Sequence, residues 1–153
     1  IFVEKPVYSL SVVLATILFF SGIGSYFVPT LSKKFKFFIS YAGTILISIM
    51  LIYTFKLTNI LNQFSHFDLP LKIILSIFLV SIPSFFMGMF FPFGLELVNK
   101  LSNRLVPWMW GINGIASTLG GVLSMIISLL FGFNTALLVG VSCYLIAAVI
   151  IRH

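Results

Sequence analysis

Residues 83–100, PSFFMGMFFPFGLELVNK, then 106–121, VPWMWGINGIASTLGG, then 131–144, FGFNTALLVGVSCY, decide how this chain folds. They set Pro83 and Pro92, several glycines, the carboxylate of Glu96 and the amide of Asn113 in or beside apolar runs of helical length. Such runs point to membrane spans. In a bilayer, a polar group or a backbone carbonyl freed by proline finds no water to bond, so each such residue needs a packing or functional reason.

Composition agrees with that solvent. Of 153 residues, 60% are hydrophobic and 8% charged, against about 25% charged in ordinary soluble domains. Mean hydropathy is +1.20. A soluble domain of this length cannot hide 18 phenylalanines in a core and keep so few charges for its surface, so the apolar excess faces lipid or other helices. The net charge of +6 comes from basic residues scattered between apolar runs, as lipid headgroups require. No basic face of any length is present, and nucleic acid is not an expected partner. Cys143 is the single cysteine, sits in an apolar run, and is expected to act as a small core hydrophobe.

Five runs are long enough to cross a hydrocarbon core of about 30 Å: residues 7–28, 37–55, 71–98, 106–131 and 135–151. The third carries Pro83 and Pro92, each lacking an amide proton and clashing with the carbonyl four residues earlier, so this helix is expected to break. Between Lys56 and Pro70, Leu57, Ile60, Leu61, Phe64 and Phe67 recur at helical spacing among polar residues. That pattern predicts a short helix in the membrane interface, carrying His66 in contact with water or headgroups. The expected fold is all-α: about five transmembrane helices in a single domain over residues 1–153, with a proline-broken third span and a short interfacial helix.

Lys33, Lys34, Lys36, Lys100, Arg104 and Arg152 fall on one side of this arrangement, and Lys5, Lys56 and Lys72 on the other. The positive-inside rule then places the C-terminus in the cytoplasm. An integral protein of the bacterial inner membrane is expected. The chain begins Ile1-Phe2-Val3 with no signal-peptide pattern, which suggests the interior of something longer.

Small residues mark two helix faces. In the fourth span Ala116, Gly120, Ser124 and Ser128 stand four apart, beside a row of Asn113, Ser117 and Gly121; the first span has a notch at Ser21, Gly22, Gly24 and Ser25. Either face admits close approach by another helix, or a lipid or substrate path. Gly132-Phe133-Asn134 predicts a tight turn that folds the last two spans into a hairpin.

Glu96 lies four residues after Pro92 and four before Lys100. It is a candidate proton- or cation-binding carboxylate if the broken helix draws it inward, and otherwise an end-of-helix residue paired with Lys100. Asn113, about two turns inside its span, is a candidate for bonding to another helix or to a ligand. Trp108 and Trp110 sit where aromatic belts anchor helices. No span contains His, and no paired carboxylates, Ser-His-Asp set or phosphate-cradling glycine loop is present, so neither catalytic residues, a cofactor nor a metal is expected.

From Val3 onward the chain resembles the C-terminal membrane region of integral-membrane spermidine-synthase-like proteins. The resemblance rests on residues 2–25 (FVEKPVYSLSVVLATILFFSGIGS), 83–95 (PSFFMGMFFPFGL) and 106–144. That family has Gly-His-Pro where this chain has Glu4-Lys5-Pro6. The resemblance implies a membrane region that accompanies a soluble aminopropyltransferase-like domain, whose glycine-rich loop and acidic catalytic residues have no counterpart in these residues. The expected role is a non-catalytic module that anchors or couples a soluble domain or partner subunit at the cytoplasmic face. The alternatives are a transport module for small, polyamine-like molecules and a structural subunit of a larger membrane complex.

Overall fold

The computed structural model describes residues 6–34, 38–64 and 66–152. Glu4, Lys5, Lys36, Ser65 and His153 lie outside the described residues. Five long helices follow one another: α1 (Pro6–Lys34), α2 (Phe38–Gln63), α3 (Leu69–Leu101), α4 (Val106–Phe131) and α5 (Phe133–Arg152), with a 3-10 turn at Asn103–Leu105 before α4. Each is long and apolar enough to cross a membrane. The protein is an all-helical integral membrane protein.

Helices α1 and α3 pack together more extensively than any other pair, and glycine is the reason they can. A Cβ built at Gly24 would collide with the Phe85 carbonyl, and one built at Gly88 with the backbone of Ser21. The two backbones therefore touch, with no side chain between them. Between lipid-solvated helices, where burial brings little hydrophobic gain, such contact is what makes association favourable. Val28, Phe38, Ile39, Ala42 and Met89 close the core beside this crossing, with Phe85, Phe86 and Phe93 packed against them. Phe38 and Phe93 meet edge to face at 5.5 Å. Leu46 of α2 is fully buried.

Helix α5 joins from the other side of α2. The gap it fills is again made by glycine: a Cβ on Gly43 would stand 3.2 Å from the Ala148 methyl and 3.4 Å from the Phe90 ring. Phe90 also meets Tyr144 edge to face at 5.1 Å, which ties α5 to α3. Helix α4 packs along α5, and none of its residues is buried. Gly132 at φ 87° separates the two, accepting the conformation that L side chains avoid while its amide bonds the Ser128 carbonyl at 3.1 Å.

Two local expectations need correction. Helix α3 does not break but runs continuously through Pro83 and Pro92; each proline removes a single hydrogen bond, and a neighbouring helix can supply a substitute donor. The stretch from Lys56 to Gln63 is not a separate interfacial helix but the end of α2. No proline lies between Phe38 and Gln63, so nothing stops propagation until the turn at Phe64–Asp68. Phe64 and Phe67 stack edge to face there at 5.2 Å, and Pro70 opens α3.

Candidate functional site

The predicted polar residues fall in two separate places. Glu96 stands near the C-terminal end of α3, where α1 also ends. Its Oε2 accepts a hydrogen bond from Ser32 Oγ at 2.8 Å across 64 residues of sequence, and its Oε1 lies 3.0 Å from Lys100 Nζ. The carboxylate pairs with Lys100 along its own helix, as an end-of-helix residue does, and it also bonds to α1. Side-chain exposure is 67% for Lys100 and 27% for Glu96, so solvent screening leaves the ion pair worth about 0.2–1 kcal/mol. The Ser32 bond supplies the tie between helices.

Around this network a pocket of about 450 Å³ is lined by Val28, Pro29, Pro92, Leu95, Glu96 and Asn99. Pro29 of α1 and Pro92 of α3 both border it, and each removes the main-chain donor that would bond the carbonyl four residues earlier, those of Ser25 and Gly88. Pro92 therefore contributes to the pocket without breaking the helix. Pro83 acts elsewhere: the carbonyl that it frees, Leu79, accepts a hydrogen bond from Tyr53 of α2 at 2.6 Å.

Asn113 and the small-residue rows lie on α4, away from Glu96. Ala116, Ser117, Gly120, Gly121 and Ser124 are all exposed, and nothing approaches within 4 Å of a Cβ built at Gly111, Gly114, Gly120 or Gly121. Among the described residues, Asn113 is half-buried and its amide makes no interhelical hydrogen bond. Among the described residues, this face meets no other helix. Trp108 and Trp110 are exposed, with Trp110 against Phe91 at 5.0 Å. Cys143, expected in the core, is exposed on the outer side of α5, because that helix turns Val141 and Tyr144 inward instead. His66 is exposed beyond the end of α2, and among the described residues no three His, Cys, Asp or Glu side chains come together.

Sequence reasoning missed three partners. Ser32 is a donor that no local pattern joins to Glu96, and Tyr53 looks like any aromatic residue of an apolar span. Gly88, the partner of the notch at Ser21, stands four residues after Ser84, a small-xxx-small spacing that could have marked it. No family model matches the chain, and no curated protein and no solved structure matches it.

Proposed function

We propose that the chain is a non-catalytic membrane module of the kind found beside spermidine-synthase-like domains, coupling a partner protein or soluble domain at the cytoplasmic face. The observation that carries this proposal is the bare face of α4, exposed along its length and bordered by Asn113. Leu or Phe would fill lipid-facing space better than Gly, Ala and Ser, whereas small residues favour a close helical neighbour. A photo-crosslinking residue at Gly121, introduced in native membranes, is expected to capture protein and not lipid alone. Lipid adducts alone would sink the proposal.

A second reading, transport of a small cation, is favoured by one observation. Glu96, a carboxylate within α3, borders a pocket of about 450 Å³ between Pro29 and Pro92. A cation entering there would have to displace Lys100 from Oε1. Uptake of a polyamine into proteoliposomes, abolished by Glu96→Gln, would support transport over coupling.

A further inference from the structure

A cleft of about 480 Å³ opens between α1, α2 and α3, on a different side of α1 from the Glu96 pocket. Phe27 and Leu31 form one wall, Phe38, Ala42 and Ile45 another, and Met89 lies on the third. Its lining is almost wholly apolar. Phe27, Tyr41 and Ile45 remain exposed, so the cleft opens on the outer surface of the bundle. From Phe38 to Ile45 is seven residues of helix, about 10 Å at 1.5 Å per residue. That length spans less than two turns of a helix lying along it, at about 5.4 Å per turn. A void in hydrocarbon forfeits the dispersion contacts of its walls, so a cleft of this shape is filled by a flexible chain.

Charge says what that chain is attached to. Leu31 lines the cleft one turn or less before Lys33 and Lys34, which end α1, and Phe38 lines it at the start of α2. Lys100 and Arg104 lie at the same end of the bundle, since Ser32 and Glu96 meet there. The acid at that end, Glu96, is held by Ser32 and Lys100. An apolar slot walled by a helix that ends in two lysines matches an anionic phospholipid better than a neutral lipid or a soluble apolar molecule. We propose that this cleft binds one acyl chain of an anionic phospholipid, with its headgroup at the Lys33–Lys34 end. The site is independent of whatever covers α4.

The test uses the full chain with Trp108→Phe and Trp110→Phe, and Tyr41→Trp as a reporter at the cleft. It is reconstituted into vesicles of phosphatidylcholine containing graded fractions of acyl-brominated phosphatidylglycerol or acyl-brominated phosphatidylcholine. Quenching by the anionic lipid is expected to saturate at a fraction about tenfold lower than by the zwitterionic one. Lys33→Gln with Lys34→Gln should remove that preference. Ala42→Phe should fill the slot and remove the saturable component, and Ile45→Phe at the exposed mouth should do the same if the first variant fails to fold. A Trp introduced at Leu119 of α4 should be quenched equally by both lipids. Quenching at the Tyr41 position that follows bulk composition and ignores the headgroup means bulk lipid only and overturns the proposal. Absence of quenching overturns it too, by showing that no acyl chain enters.

Discussion

The Tyr53 hydroxyl of α2 donates to the Leu79 carbonyl of α3 at 2.6 Å, and Leu79 is the residue whose helical amide partner Pro83 takes away. The proline and the tyrosine are one device. Without Tyr53, the third helix would hold an unbonded carbonyl in hydrocarbon; without Pro83, the hydroxyl would face a carbonyl already engaged by its own helix. The pairing also explains why α3 stays continuous where a break was expected.

This relationship makes a coupled prediction. Tyr53→Phe is expected to destabilise the chain by about 1 kcal/mol, within the range measured for hydrogen bonds between membrane helices. In a Pro83→Ala background, where residue 83 regains its amide, the same change should cost close to nothing. Denaturant unfolding in detergent of both single variants and the double variant measures the coupling. Additive costs would mean that the tyrosine acts through packing alone.

The α1–α3 crossing makes a second. Gly24→Ala and Gly88→Ala place a methyl against backbone that has no side-chain freedom to yield, so each should cost about 1–3 kcal/mol or more. Gly22→Ala and Gly114→Ala meet nothing within 4 Å and should be neutral or stabilising by about 0.5–1 kcal/mol through helix propensity. Thermal melts of the four variants decide it. Equal effects at all four sites would place the close approach elsewhere.

The Ser32–Glu96 bond predicts an asymmetry between partners. Glu96→Gln keeps an acceptor for Ser32 and loses only the screened attraction to Lys100, so its cost should stay below about 1 kcal/mol and shrink as salt rises. Glu96→Leu in addition removes the tie to α1, and should loosen the ends of both helices. Hydrogen exchange of the amides from Pro29 to Ser32 and from Leu95 to Lys100 reports the difference. Faster exchange in Glu96→Gln alone would make the ion pair, not the serine, the fastening.

Orientation is testable at exposed positions of the two ends. With Cys143 changed to Ala, a cysteine at Asn103 should be shielded from impermeant thiol reagents in intact cells, and one at Gln63 should label. Labelling in the opposite sense reverses the proposed topology.

The spans themselves were legible because length and apolarity alone decide them; α4 begins and ends at the residues expected, and the Gly132 turn falls where Gly precedes a new apolar run. What was not legible depends on rotation about helix axes. Sequence shows that a face is small but not which helix meets it, so the notch at Ser21 and Gly24 and the longer rows of α4 look alike, yet among the described residues only the first is engaged. The Ser32–Glu96 and Tyr53–Leu79 bonds join residues 64 and 26 positions apart. Local periodicity carries no information at such separations. Glu96 and Pro92 were correctly placed near one another only because they share a helix.

The bare face of α4 gives the last prediction. Gly120→Leu adds a bulky side chain where nothing of this chain lies within 4 Å, so the purified chain should unfold within about 0.5 kcal/mol of the parent, as surface substitutions do. If a partner helix packs on that face, the same leucine stands in the closest part of the interface, and overpacking there should cost about 1–3 kcal/mol, a loss of roughly fivefold to 150-fold in association. Asn113→Leu should weaken association less, because membrane hydrogen bonds average about 0.6 kcal/mol, and should act on the register of the pair instead. Both variants would be compared by unfolding in detergent and by photo-crosslinking from Gly121 in native membranes. A Gly120→Leu chain that is stable alone and no longer crosslinks to protein is the expected result. One that crosslinks to protein as well as the parent would show that no partner packs closely on Gly120.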